Sequence, residues 1–324
     1  MGGLLQHFVS PEEGLALQYC DNSLRRPIFI FITLSQTNIN RKTLLERSPI
    51  NNLMGNSIHQ IDDYLKWSTP GNYRDKSPYH ARNLVGALLV ESERVFGCLA
   101  EGLPLEDVRE KAVHGTLFTQ RALLSRKRFW YMLQTRYFDL PEWVLHEIVE
   151  AYRYGPHSQE FISLLYLHYA LSDHFTFDFI TEDLWEKWLR QQFDVSREDV
   201  LKKLDESAES EPQIKSWTEA TRIKLAGIIL SSLRDFGVLE GKQKKRLVRP
   251  VIPQKTTEHI LHVLTAEGIK GSDVLADPIW RLFFCTESDV AHHLQHLALK
   301  RIIHFERVGK TVVLQTPDEW SRPS

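Results

Sequence analysis

The side chains of this 324-residue chain that could do chemistry are cations and imidazoles, gathered in short runs. The first run is RALLSRKRFWYMLQTRYF, residues 121–138, where Arg121, Arg126, Lys127, Arg128 and Arg136 are interleaved with aromatic rings. No acid lies between Glu110 and Asp139. The second run is Lys242, Lys244, Lys245, Arg246 and Arg249; the third is Lys300, Arg301, Arg307 and Lys310. Such clusters suit phosphate: cations on a nucleic-acid backbone release condensed counterions, which gives affinity without reading sequence. The ordinary alternative for any one run is a solvated face. Acid is concentrated elsewhere, in 101–110, 173–186 and 194–211, so the formal net charge of -2 conceals a polarised molecule.

Other groupings carry less. His292, His293 and His296 invite a metal reading, since positions four apart share a helix face. The apolar spine of that segment is Val290, Leu294 and Leu297, however, which leaves the imidazoles on a solvated or phosphate-facing flank. Asp173, Asp178, Glu182, Asp183 and Glu186 resemble the acids of a nuclease metal site, but acids at helix starts ordinarily match the dipole. There is no GxGxxG, Walker A, HExxH or GxSxG. The expectation is a binding protein without cofactor or metal, not an enzyme.

Composition bounds the class. Hydrophobic residues make up 42% and charged residues 25%, enough apolar side chain for a substantial core. Cys20, Cys98 and Cys285 are isolated and odd in number, which suits a reducing cytoplasm. The longest purely aliphatic and aromatic run is Ile28–Ile32, far short of the roughly 20 residues that span a bilayer. With no leader-like N-terminus, the reading is a cytoplasmic protein with no membrane partner.

The elements that must position the cations are mostly helical. Ser10-Pro11-Glu12-Glu13 predicts a short helix after it, and IFIFITL a strand or buried helix segment. The turn cluster STPGNYRDKSP marks a boundary near residue 75. Ser77-Pro78 then predicts a helix carrying Leu84, Leu88, Val95 and Leu99 and ending before Gly102. Further helices are predicted over LEDVREKAVHG, LPEWVLHEIVEAY, SQEFISLLYLHYALSDH (buried), TEDLWEKWLRQQF (capped by Thr181) and SREDVLKKLDES (Ser196 with Asp199 as a capping box). A long helix follows from about Gln213 to Phe236. Beyond it come two short extended segments joined by a basic turn, a helix over TTEHILHVLTAEG, a helix capped by Thr286 and Asp289, and a hairpin around Arg307-Val308-Gly309-Lys310. A helix running straight into a hairpin is how winged-helix domains arrange a recognition helix and wing.

Within the first basic run, Ser125 as N-cap puts Phe129, Trp130, Leu133 and Tyr137 on one core face, with Leu124 and Phe129 as a hydrophobic staple. Arg126, Lys127 and Arg128 then occupy the first turn, where free amides and the dipole favour an anion, so a phosphate would resolve their mutual repulsion. A helix starting near Thr119 makes Ser125 internal and removes the amide part of that site.

The order of features, and above all the segment from SPYHARNLVGALLVESERVFGCLAEG through SRKRFWYMLQTRY together with WTEATRIKLAGIILSSLRDFGVLE and the terminal helix–hairpin, resembles the BrxA family of bacteriophage-exclusion (BREX) systems over roughly Ser77–Trp320. That resemblance implies a mainly α fold: a helical bundle similar to NusB-type factors, with a C-terminal winged-helix-like α+β region. It further implies double-stranded DNA binding in anti-phage defence, beside a methyltransferase and an ATPase, and supplies no catalytic residues. The division expected is 1–75 as an N-terminal extension, 76–210 as a helical domain and 211–324 as the winged-helix-like part. A protein-binding adaptor, using aromatics such as Trp185 and Trp188, and a NusB-like RNA-binding protein are the competing readings.

Overall fold

The computed structural model describes residues 5–10, 14–21, 26–32, 73–81, 84–309 and 311–321. The chain divides into two compact units, 1–60 and 61–324. In the first, β1 (Leu5–Ser10), β2 (Gly14–Asp21) and β3 (Arg26–Ile32) form an antiparallel sheet in that order. Ser10 pairs with Gly14 and Asp21 with Arg26 at the ends of the two ladders. The helix expected after Ser10-Pro11 is therefore a strand. Leu15, Leu17 and Tyr19 alternate at period two, the repeat of a strand, and pairing on both edges satisfies the backbone of β2.

The second unit is mainly helical. Its helices are α1 (Leu89–Ala100), α2 (Leu105–Val113), α3 (Leu123–Leu133), α4 (Glu142–Tyr152), α5 (Gln159–Leu171), α6 (His174–Asp178), α7 (Trp185–Leu189), α8 (Arg197–Glu206), α9 (Glu219–Asp235), α10 (Gln254–Ala266), α11 (Asp273–Ala276) and α12 (Glu287–Leu299). β4 (Asp194–Val195), β5 (Leu239–Glu240) and β6 (Lys245–Leu247) form a small sheet in the order β4-β6-β5, and β7 (His304–Val308) pairs with β8 (Thr311–Gln315). Both expected capping boxes form, at Ser196–Asp199 and Thr286–Asp289, because a side chain three residues away decides them and nothing distant competes.

Three helix starts differ from the sequence expectation, and at the first of them tertiary bonds claim the backbone. Residues 77–81 and 84–88 are not helical. This strap is held by Asp75 N donating to Leu171 O at 2.7 Å, Tyr79 N to Glu211 at 2.9 Å and the Tyr79 hydroxyl to Asp178 at 2.5 Å. Gly86 (φ +80°) and Leu88 (φ +55°) then turn the chain, so α1 starts only at Leu89. Thr181 lies buried inside a π-helical stretch, Phe179–Leu184, that joins α6 to α7; the cap upstream is Asp173. The long helix also starts later than expected, since Trp217 is extended and Thr218 caps α9.

The core is built around α5, every residue of which from Ser163 to Leu171 is buried. Phe96 of α1 meets Tyr137 and Phe161 edge-on at 5.7 and 5.4 Å. A fully buried side chain of this size contributes about 1.5–3 kcal/mol, so this aromatic stack anchors the early helices. The residues on either side of 210 share one core: Ser163 Oγ lies 2.6 Å from Thr256 Oγ1, and the Tyr166 hydroxyl donates to Leu282 O at 2.8 Å.

Candidate nucleic-acid interface

The three basic runs meet different fates. In the first, α3 starts at Leu123 behind Ala122, so Ser125 is its third residue and its amide bonds Ala122 O. The anion seat expected from the Arg126–Arg128 amides is therefore not formed. The staple fails as well, because Leu124 is 81% exposed. The Arg126 guanidinium donates to Val113 O at 2.7 Å and Gln120 O at 3.1 Å, closing the loop before α3. Arg136 is 1% exposed: it donates to Gly86 O at 2.9 Å and lies over the Tyr169 ring at 4.8 Å. Arg136 is a core residue and cannot reach a phosphate in this fold. Arg121, Lys127 and Arg128 remain exposed, beside Leu123, Leu124 and Tyr131.

The other two runs converge. Gly241 opens the β5–β6 turn at φ +87°, and a Cβ there would overlap the carbonyl of Lys244, so only glycine fits. This turn projects Lys242 and Lys244 into solvent. Lys245 folds back onto Lys242 O at 3.0 Å, and the exposed Arg246 lies over the Phe193 ring at 5.5 Å. Arg249, leaving β6, reaches Asp289 in the first turn of α12 at 3.1 Å. From the opposite side, Arg307 on β7 comes within 4.0 Å of Glu287 in the same turn. These half-exposed pairs are worth at most about 1 kcal/mol each. They bring cations of two basic segments to one helix start and neutralise its two carboxylates, which would otherwise repel phosphate.

α12 buries Val290, Leu294 and Leu297, and the three histidines lie off that spine as expected; His292 and His296 are exposed and His293 half-buried. At its C-terminal end Lys300 hydrogen-bonds Gln254 of α10. Arg301 is exposed and adopts φ +60°, closing the helix with its amide on Ala298 O at 2.9 Å. Val308 and Thr311 pair across the tight β7–β8 turn, with Gly309 at φ +61°. Lys310 lies outside the described residues.

A buried polar junction, which no local signal announces, ties α10 to the helical body. Glu147 of α4 bonds His259 Nδ1 at 2.5 Å and His262 Nδ1 at 2.9 Å, and His259 Nε2 lies 2.8 Å from His168 Nε2 on α5. His262 is stacked between Trp143 at 3.6 Å and Trp320 at 5.0 Å. Burial opposes ionisation of Glu147, but hydrogen bonds from the two imidazoles outweigh it and hold the carboxyl at about 2. Burial, then the neighbouring His259, pushes His168 well below the usual imidazole range. In the sequence only the spacing of His259 and His262 on one helix hints at this junction.

The acids of 173–186 are engaged within the chain. Asp178 meets Tyr79 and His174, while Glu182 and Asp183 both meet Lys203, at 2.5 and 3.1 Å. Among the described residues no group of three His, Cys, Asp or Glu is placed to hold a metal. Trp188 stacks on Phe284 at 4.9 Å and Trp185 packs on the core, so neither is an open docking aromatic. No described helix is long and apolar enough to cross a membrane.

Comparison with known proteins agrees with this architecture. An uncharacterized protein from Magnetospirillum magneticum, known from its crystal structure, is similar in fold at a TM-score of 0.50, with 19% identity over 64% of this chain and 100% of its own. No curated protein matches. A model of the BrxA family matches residues 78–262, which include α1 to α9, the basic β5–β6 turn and the His259–His262 pair that joins α10 to the body. The chain accordingly belongs to the BrxA family, associated with BREX anti-phage defence.

Proposed function

We propose that this protein is a non-enzymatic, cytoplasmic component of BREX defence that binds double-stranded DNA through its C-terminal part. The observation that carries this reading is the approach of two basic hairpins to one turn of α12, through Arg249–Asp289 and Arg307–Glu287. α10, α11 and α12 followed by β7–β8 repeat the element order of a winged helix, with α12 as recognition helix and β7–β8 as wing. Lys242, Lys244 and Arg301 are the exposed cations best placed to follow a backbone on either side. The helices before α10 act as a NusB-like body that presents this platform to other proteins of the system.

Anisotropy titration of labelled duplex DNA across a salt series tests the reading. Neutralising about three phosphates gives a log–log slope near -2.7. The triple change Lys242→Ala, Lys244→Ala, Arg301→Ala should weaken binding to every sequence and flatten that slope by up to about 2.7. Absence of duplex binding at low salt defeats the proposal, and preference for duplex RNA would move it to the NusB-like alternative.

One observation favours an adaptor role for a different face. On α3 the exposed Leu123, Leu124 and Tyr131 stand among Arg121, Lys127 and Arg128. A phosphate backbone gains nothing from exposed leucine, whereas an acidic, partly apolar protein surface does. Lys127→Glu with Arg128→Glu should leave duplex affinity within about twofold if this face binds protein; a loss of tenfold or more returns it to DNA.

A further inference from the structure

A concave site lies between the first turn of α10 and the exposed flank of α12. It encloses about 260 Å³ and is lined in part by Gln254 and Thr257 from α10 and by His292, His293, His296 and Leu297 from α12. All three imidazoles of α12 line this one groove, where their ring N–H groups can donate to an acceptor.

The surroundings are poor in uncommitted acid. Glu258 accepts from Gln254 at 2.6 Å and from Lys255 at 2.8 Å, and Asp289 is engaged by Thr286 and Arg249. α10 starts after Pro253 with no side chain capping it. Burial, then His292 and Arg249, pushes His293 below the ordinary imidazole range. Other charged groups on the elements packed against α12 are Lys300 at its end, Asp273 on α11, and His304, Glu306 and Arg307 on β7. On α10, His259 and His262 are committed to Glu147. A bound oxyanion would oppose that shift at His293, since a nearby negative charge favours the protonated imidazole.

We propose that this groove seats a phosphoryl oxyanion and that seating it draws protons onto His292, His293 and His296. The inference rests on the DNA-binding reading for the source of the phosphoryl group, a backbone phosphodiester beside α12. It assigns the histidine flank a role distinct from the lysines and arginines: those give affinity at any pH, and the imidazoles make it rise with acidity.

Two measurements on the full chain test this. In the first, inorganic phosphate is titrated while the histidine NMR signals are followed. Signals of the α12 histidines should move, and their midpoints should rise. In the second, duplex affinity is measured at fixed ionic strength from about pH 7.5 to about pH 5.5, for wild type and for His292→Gln with His296→Gln, both exposed positions. Wild-type affinity should climb about tenfold per pH unit for each proton taken up, and the double variant should lose most of that climb. If phosphate moves the α12 signals but the duplex climb survives in the variant, the seat stands and free phosphate is its ligand. If phosphate leaves the signals unmoved and the variant keeps the climb, the seat is refuted. Failure of all duplex binding overturns the DNA reading instead, and the phosphate titration then decides the seat alone.

Discussion

Arg301 sits where a helix usually places glycine. Its φ of +60° costs a side-chain-bearing residue about 1–2 kcal/mol, and its exposed guanidinium recovers only a little by facing the helix C-terminus. On the DNA-binding proposal, a phosphate contact at Arg301 offsets that cost. Arg301→Gly should therefore raise unfolding free energy by about 1 kcal/mol in denaturant melts while lowering duplex affinity; a stabilised variant with unchanged affinity would remove Arg301 from the interface. Arg136 is the opposite case. Its guanidinium supports the carbonyls of Gly86 and Ala87 inside the core. Arg136→Ala should cost about 3 kcal/mol, read by urea denaturation, with no change in the salt slope of the protein that remains folded.

At the scale of elements, the β5–β6 hairpin projects Lys242 and Lys244 only because Gly241 can take φ +87° against the Lys244 carbonyl. Gly241→Ala would need both a strained φ and displacement of that carbonyl. It should lower stability by about 1–3 kcal/mol and weaken duplex binding, although no cation is removed. Binding that survives with the hairpin visibly distorted would show that the turn is not part of the interface. α12 is a firmer element: the Thr286–Asp289 box fixes its start, three buried residues fix its rotation, and the histidines are left on the open side.

At the scale of the whole molecule, α10 is tied to the helical body by the Glu147–His259–His168 and His262–Trp320 junction, in which His168 and Glu147 lose their favourable state on acidification. His168 is neutral in the fold and charges more easily when unfolded, so its contribution is present above its ordinary 6.5 and is lost as pH falls below it. Glu147 is held at about 2 against an ordinary 4.5, so its contribution is present above 4.5 and is lost between there and about 2. The melting temperature should fall in two stages on acidification. Glu147→Gln should abolish the lower stage and cost about 1–3 kcal/mol at neutral pH, because the carboxamide keeps one acceptor oxygen and turns an NH2 donor toward the other imidazole. A melting temperature independent of pH from neutrality to about pH 4 would contradict the junction's assignment.

Those scales separate what the residues decide locally from what they decide together. The sequence by itself determined the helices with strong periodicity, both capping boxes, the two basic hairpins and the off-spine placement of the α12 histidines, because each depends on neighbours within a few residues. It also carried the family, through the same run of helices. Only the tertiary structure decided that Ser77-Pro78 opens a strap rather than a helix, since Leu171, Asp178 and Glu211 claim its polar groups. The same holds for the opening run. Arg126 and Arg136 turn toward the backbone carbonyls of Val113 and Gly86, where charge-assisted hydrogen bonds offset part of the cost of taking each cation out of water. The approach of Arg249 and Arg307 to one helix turn joins residues 58 positions apart, and no local pattern encodes a distance of that kind.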